Sequence, residues 1–177
     1  MRLAGTAIGA GLFAFAALAA GPAAAQVRLG SPGDPPRLAL MGGAFDVKPD
    51  KSQATSRTAA LIGGEYRFGD RLWFLAPFIG ASGTGAGAFY GYFGLGFDVN
   101  FGPRWVLAPN AAAGYFTRGG GTDLGSWWEF RTGAELDYRF PDLSRLGIAV
   151  HHTSNAGLTR RNPGEESVML VYTVPIR

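Results

Sequence analysis

Two long segments of the sequence alternate between apolar and polar residues, and this alternation restricts the fold more than any other feature. From residue 89 to 101 the odd positions are mostly phenylalanine, leucine and valine, and the even positions are tyrosine, glycine, aspartate and asparagine. From residue 126 to 140 the alternation separates aromatic residues from charged ones. Because successive side chains of a strand point to opposite faces, both segments are predicted to be strands with one apolar and one polar face.

The length of these strands distinguishes two all-β folds. The predicted strands that contain these segments, 87–101 and 126–140, are about 15 residues long. Strands of soluble proteins average about 5–6 residues, and membrane-spanning barrel strands need about 9–11. A soluble β-sandwich would expose the charged face, and a barrel would enclose it in the lumen, where glycines relieve crowding. The pattern favours an eight-stranded antiparallel up-and-down transmembrane β-barrel, with a soluble β-protein as the alternative.

The remainder of the chain supplies the other strands of such a barrel. Eight strands are predicted, at 38–47, 57–68, 71–81, 87–101, 104–116, 126–140, 144–154 and 166–176. Tight turns are predicted at 69–70, 102–103 and 141–142, and longer loops at 48–56, 82–86, 117–125 and 155–165. Short turns at one end and long loops at the other are typical of outer-membrane barrels.

The N-terminus predicts export. Arg2 precedes an apolar run that ends in Ala23-Ala24-Ala25, which is the pattern of a secretory signal peptide with a small-residue cleavage site. We therefore predict a signal peptide at 1–25 and a barrel domain at 26–177, with a retained membrane anchor as the alternative. The chain contains no cysteine and has a net charge of only +3, so disulfides are absent and nucleic acid is not an expected partner.

Charged residues on the inner face of the sixth strand are expected to pair with one another inside the barrel. They are Glu129, Arg131, Glu135 and Arg139. Buried ions are stable when they are paired, so we interpret these residues as structural.

A serine, a histidine and a carboxylate fall on the apolar face of the last two strands. His152 and Ser154 share the parity of Ile148 and Val150, and Glu166 shares the parity of the apolar residues of the eighth strand. Residues two apart on a strand are neighbours on one face. The adjacent Glu165 has the opposite parity and is expected to point inward or into the loop.

This combination of residues suits nucleophilic acyl transfer. Histidine takes the proton of serine, and the carboxylate orients the imidazole. Asn155, Asn162 and the backbone N–H near Gly157 are candidate donors to an oxyanion. Two alternatives remain open: a polar girdle above the apolar band, and a metal site at His151 and His152, although adjacent strand residues point apart. A G-x-S-x-G nucleophile elbow is absent from the sequence.

The same residues resemble a known family. The run His152-Thr153-Ser154-Asn155-Ala156-Gly157, followed by Asn162 and Glu166, is similar to the C-terminal motif of the lipid A 3-O-deacylases of the PagL type. The resemblance implies an outer-membrane barrel that hydrolyses the ester-linked 3-hydroxyacyl chain at position 3 of lipid A. It also implies Ser154 as nucleophile, His152 as base, Glu166 as acid, and Asn155, Gly157 and Asn162 as oxyanion or positioning residues.

The expected partners follow from this resemblance and from the topology. They are lipopolysaccharide as substrate and the surrounding outer-membrane lipids, with no cofactor and no metal, and with the site near the outer leaflet. The sequence leaves open whether the barrel is a monomer or a homodimer. Two other functions remain: a non-catalytic structural barrel or adhesin that acts through its loops, notably 117–125, and a phospholipid hydrolase or acyltransferase.

Overall fold

The computed structural model describes residues 27–30 and 33–176, and within them the chain forms strands and connections without a helix. The predicted signal peptide at 1–25 lies outside the described residues. The strands are β1 Val27–Leu29, β2 Arg37–Phe45, β3 Ala59–Arg67, β4 Ala76–Thr84, β5 Phe89–Gly96, β6 Val99–Phe101, β7 Trp105–Thr117, β8 Trp128–Arg139, β9 Arg145–Ser154 and β10 Glu165–Pro175. No helix in this part of the chain is long and apolar enough to cross a membrane.

The strands close into a barrel. Each pairs antiparallel with the next along the wall, β7 pairs with β8, and β10 returns to pair with β2. The segments β5 and β6 face β7 in one continuous register, with Gly96 opposite Asn110 and Val99 opposite Leu107. They therefore act as one interrupted wall strand. The prediction of an eight-stranded antiparallel barrel is confirmed for the described residues.

The two faces of the wall differ as the alternation predicts. Along β9 the outward Leu146, Ile148 and Val150 are exposed, while the inward Ala149 and His151 are buried. The same alternation runs along β10. Exposed aliphatic and aromatic side chains on every side of a closed barrel are the surface that a lipid bilayer requires.

Ion pairs across the lumen hold the charged inner face together. Arg67 contacts Glu65 at 3.0 Å and Glu135 at 2.7 Å, and Arg131 contacts Glu65 at 2.9 Å. The Tyr92 hydroxyl donates a hydrogen bond to Glu65 at 3.0 Å. These contacts join β3, β5 and β8 and satisfy charges that would be costly to bury alone.

The predicted partners within the sixth strand were wrong. Arg131 and Glu135 pair with residues of β3, Arg139 donates to Asn100 Oδ1 at 2.7 Å, and Glu129 has no ion-pair partner among the described residues. Parity places these side chains in the lumen but does not choose their partners. A long arginine can reach a carboxylate across the narrow barrel, as Arg67 reaches Glu135, as well as one on its own strand.

Both ends of the third wall strand and the N-terminal segment also differ from expectation, and the other strand ends shift by smaller amounts. The third wall strand begins at Ala76 and not at residue 71, because Leu72 and Leu75 form a small bridge of their own with Trp73 at a φ of 63°. Strand β4 continues through Thr84, which shortens the predicted loop at 82–86. The segment before β2, for which no strand is predicted, contains β1. This short strand pairs with β6 at the end of the barrel where β4 has not yet begun.

Candidate active site

Strand β9 carries two of the predicted site residues to the outer face of the barrel. His152 is exposed and Ser154 is half-buried, whereas their inward neighbours His151 and Thr153 are buried. Both outward residues continue the line of Ile148 and Val150. Ser154 is the last residue of the strand, so it lies where the apolar wall meets the 155–164 loop.

Strand β10 brings the carboxylate to the histidine. Glu166 lies directly opposite His152 in the strand register, and its Oε1 is 3.5 Å from His152 Nδ1. Both side chains remain partly exposed, at 49% for His152 and 40% for Glu166. A carboxylate at Nδ1 favours the tautomer that carries its proton there, which leaves Nε2 free to accept a proton.

Gly164 shows which side of the imidazole faces the serine. A Cβ atom built on Gly164 would lie 3.2 Å from His152 Nε2 and 3.6 Å from Ser154 Cβ. The Nε2 edge of the ring and the serine therefore border the same small space, which is open because residue 164 has no side chain. Sequence reasoning missed this residue, although Pro163-Gly164 is a recognisable turn signal.

The two adjacent glutamates point to opposite sides of the wall, as parity predicts. Glu165 is buried in the lumen, accepts a hydrogen bond from Ser167 Oγ at 2.7 Å and another from Asp46 N at 3.1 Å. It lies opposite Thr153 in the register and cannot reach the outer ring of His152. Glu166 is thus the glutamate that contacts His152.

The two adjacent histidines are likewise separated by the wall. His151 is buried on the inner face, and neither of its ring nitrogens has a hydrogen-bond partner among the described residues. His152 lies outside. The two rings do not form a chelating pair, and residues 27–30 and 33–176 contain no group of three metal-ligating side chains.

Asn155 organises the loop that follows the serine. It is fully buried, and its Nδ2 donates to Leu124 O at 2.9 Å, Thr159 Oγ1 at 3.0 Å and Arg161 O at 2.7 Å. The Gly157 N–H donates to Asn155 Oδ1 at 3.0 Å. The two donors suggested for Asn155 and Gly157 are therefore engaged within the loop in this structure.

Asn162 is the predicted loop residue that retains a free donor. Its Oδ1 accepts the Asn155 N–H at 3.0 Å, which fixes the plane of the amide. The residue is exposed, and its Nδ2 has no hydrogen-bond partner in the described part of the chain. The amide is thus held at one end and available at the other.

Aromatic side chains mark the height of the site on the barrel. Ser154 lies opposite Phe130, two residues along β8 from Trp128. Trp128 packs against Trp127, whose ring also contacts Tyr115. Clusters of tryptophan and tyrosine on the outer face of a barrel occur at the membrane–water boundary. The serine and histidine therefore lie at the boundary level on the long-loop end.

These features define a class of protein: a membrane β-barrel with a serine, a histidine and a glutamate on its lipid-facing wall. The family model described as lipid A 3-O-deacylase (PagL) matches residues 58–175. Because that match spans more than half of the 177 residues, the chain belongs to the lipid A 3-O-deacylase family. It is accordingly an ester hydrolase built on an outer-membrane β-barrel.

One solved structure shares the fold, and two others have lower similarity. The crystal structure of the outer membrane enzyme PagL has a TM-score of 0.62 and 24% identity, and the match covers 79% of this chain and 99% of that one. A de novo designed transmembrane β-barrel has a TM-score of 0.45 and 16% identity, with coverages of 81% and 98%. The outer membrane protein Ail of Yersinia pestis has a TM-score of 0.47 and 11% identity, with coverages of 80% and 100%. No curated protein matches the sequence significantly.

Proposed function

We propose that this barrel hydrolyses the ester bond of the 3-hydroxyacyl chain at position 3 of lipid A, with Ser154 as nucleophile, His152 as general base and Glu166 as the acid that orients the base. The observation that carries the proposal is the contact of 3.5 Å between Glu166 Oε1 and His152 Nδ1 on the lipid-facing wall. Ionisable side chains placed against lipid are costly unless they serve a purpose, and this histidine and glutamate border the serine.

The chemistry follows from the arrangement of the three side chains. His152 Nε2 takes the proton of Ser154 Oγ as the oxygen attacks the ester carbonyl, and Glu166 stabilises the charged imidazole through Nδ1. His152 then gives the proton to the departing sugar hydroxyl, which leaves the acyl group on Ser154. Water, deprotonated by the same histidine, hydrolyses this acyl-enzyme and releases a 3-hydroxy fatty acid. Hydrogen bonds of this kind are often long in a free enzyme and shorten with substrate bound.

Asn162 is the side chain best suited to stabilise the oxyanion. Its Nδ2 is free while its Oδ1 is held by the Asn155 N–H, so the donor is preorganised without being consumed. A donor of this kind is worth about 10²–10³ in rate when it meets the developing charge. Asn155 then acts indirectly, by holding the loop that presents Asn162.

Replacing Gly164 by alanine is expected to lower the rate of ester hydrolysis about 100-fold, because small displacements of a catalytic group cost that much. The new Cβ would lie 2.7 Å from His152 Cε1 and would push the ring away from Ser154. The rate is measured as fatty acid released from lipopolysaccharide in detergent.

The Gly102→Ala variant is the matched control. Gly102 has a similar positive φ, 66° against 70° for Gly164, but a Cβ there would meet nothing within 4 Å. Both variants strain the backbone, and only one obstructs His152. Equal losses in the two variants would mean that backbone strain and not ring displacement lowers the rate.

Cationic side chains crowd the long-loop end, where the proposed substrate would present its phosphates. They are Lys48, Lys51, Arg57, Arg118, Arg160 and Arg161, and they include both lysines of the chain. Arg118 and Arg161 share the carboxylate of Asp123, at 3.5 and 3.3 Å. Arg160 is exposed and has no ion-pair partner in the described part of the chain, so its charge is available to an anionic lipid.

The Arg160→Ala variant is expected to raise KM for lipopolysaccharide about tenfold with little change in kcat, since a charged hydrogen bond is worth about 1.5–3 kcal/mol. The effect should shrink at high salt. Arg104→Ala is the control, because Arg104 lies at the opposite end of the barrel beside Tyr138. If the two variants have the same KM, Arg160 does not bind the substrate.

The proposed function is tested on the purified barrel with lipopolysaccharide and with phospholipid. Mass spectrometry of lipid A should show the loss of one 3-hydroxyacyl chain from position 3, with phospholipids intact. Phospholipid hydrolysis with intact lipid A would contradict the proposal in favour of a phospholipase. Absence of hydrolysis from both lipids would favour a non-catalytic barrel.

A further inference from the structure

A buried aspartate lies behind the candidate site, at the end of β2. Asp46 is almost fully buried and has a φ of 53°, in the left-handed region that aspartate adopts only occasionally. It has no ion-pair partner within residues 27–30 and 33–176. A buried carboxylate without a cation is costly unless hydrogen bonds satisfy it, and a strained backbone persists only where surrounding contacts determine it.

The main chain at Asp46 holds the start of β10. The Asp46 N–H donates to Glu165 Oε2 at 3.1 Å, and the Val47 N–H donates to Glu166 O at 2.8 Å. The regular pairing of β2 with β10 ends at Ala44 and Val168. These two hydrogen bonds therefore fix β10 beyond the ladder, at the residue whose side chain meets His152.

The side chain of Asp46 connects the start of β10 to two loops. Asp46 Oδ2 accepts hydrogen bonds from Ser56 Oγ at 2.8 Å and from Thr122 Oγ1 at 2.6 Å. Thr58 Oγ1 donates to Asp46 O at 2.8 Å. Ser56 and Thr58 belong to the connection between β2 and β3, and Thr122 to the connection between β7 and β8. One buried residue thus joins both loops to β10.

We propose that Asp46 is a positioning residue for Glu166. It holds the first residues of β10 from the lumen side, so that the Glu166 carboxylate on the outer side stays at His152 Nδ1. Its effect on catalysis rests on the proposed function and passes entirely through Glu166 and His152, because Asp46 lies behind the wall and touches no substrate. Sequence reasoning missed it because Asp46 shows only as a polar residue before a loop.

The chain contains only two histidines, which makes a direct readout practical. The full barrel is labelled with ¹⁵N-histidine in detergent, and the His152 signals are assigned by their loss in a His152→Gln variant. The wild type should show a proton on His152 Nδ1 and a free Nε2. In Asp46→Ala the His152 Nδ1–H signal should shift or vanish, and kcat should fall about 100-fold with KM nearly unchanged.

Two further variants and a control separate positioning from folding. Asp46→Asn keeps an acceptor for Ser56 and Thr122 and tolerates the left-handed backbone, so it should restore the His152 signal and most of kcat. Thr122→Val removes one donor to Asp46 and the longer hydrogen bond of 3.4 Å that Thr122 Oγ1 accepts from the Arg57 N–H, and it leaves residue 46 unchanged. It should reproduce part of the Asp46→Ala effect, and it tests the proposal even if the Asp46→Ala barrel does not fold. Asp50→Ala removes a carboxylate that bonds only Ser52 and Gln53 and should behave as wild type.

Asp46→Ala or Thr122→Val barrels that fold with wild-type His152 signals and wild-type kcat would overturn the proposal. So would equal loss of kcat in Asp46→Ala and Asp46→Asn with unchanged His152 signals. If the wild type does not deacylate lipid A, the proposed function fails, but the His152 signals still decide whether Asp46 positions the pair.

Discussion

The Ser154→Ala barrel is expected to fold normally and to release 3-hydroxy fatty acid from lipopolysaccharide at least about 10⁴-fold more slowly than the wild type. Removal of a serine nucleophile leaves only the contribution of substrate binding and oxyanion stabilisation, and losses of about 10⁴–10⁶ in kcat are usual. The measurement is the initial rate of fatty acid release in detergent, with folding checked by the β-sheet circular dichroism signal.

Ser52→Ala is the matched control for this variant. Ser52 is an exposed serine on the long-loop end whose hydroxyl donates only to Asp50, so its removal should leave the rate unchanged. Fatty acid release by Ser154→Ala at the wild-type rate would exclude Ser154 as the nucleophile.

The second large effect is expected for Glu166→Gln, and Glu165→Gln is its isosteric control. Glutamine at 166 keeps the shape but loses the charge that stabilises the imidazolium and selects its tautomer, a change that costs about 10⁴ in kcat in a serine–histidine–acid site. Glutamine at 165 can still accept the Asp46 N–H and the Ser167 hydroxyl, so we expect a change below about threefold.

Both substitutions replace a glutamate by a glutamine, at Glu166 on the outer face of the wall and at Glu165 on the lumen side. Activity of each variant is measured on lipopolysaccharide at several pH values, so that a shifted optimum is not mistaken for a loss. Comparable losses at both positions, or a larger loss at Glu165, would contradict the assignment of Glu166 as the acid.

Much of the fold could be predicted from alternation alone. In β8 and β9 apolar residues alternate with polar or small ones. Because a strand has only two faces, the parity of each position assigns its side chain to the lumen or to the lipid. The same rule separates Glu165 from Glu166 and His151 from His152, and the structure places all four on the expected sides. The roles of Ser154, His152 and Glu166 in catalysis stay predictions.

Contacts between strands far apart in sequence could not be predicted in this way. Parity places Glu135 in the lumen but does not say that its partner is Arg67, 68 positions away. That choice depends on which strands face each other across the barrel and on the reach of each arginine. The bridge between Leu72 and Leu75 is similarly hidden, because an apolar run gives no sign that a strand is interrupted.

Loop geometry accounts for the rest of what sequence reasoning missed. The sequence suggests Asn155 as an oxyanion donor, but in the structure its side-chain amide donates to the carbonyl oxygens of Leu124 and Arg161. Asp46 lies at the end of a predicted strand and Gly164 in a predicted loop. Alternation indicates neither the left-handed backbone at these two residues nor their contacts with residues of other segments. The roles of such residues can be recognised only from the three-dimensional conformation of the loops.

The most direct test of the lipid-facing active site is covalent labelling of Ser154 by a long-chain alkyl fluorophosphonate. The serine oxygen attacks phosphorus and fluoride leaves, and peptide mapping by mass spectrometry locates the adduct. We predict one adduct per chain, on Ser154, with loss of deacylase activity in proportion to labelling and with no adduct in His152→Ala. Deacylase activity that persists after full labelling of Ser154, or inactivation by an adduct on another residue, would contradict the account.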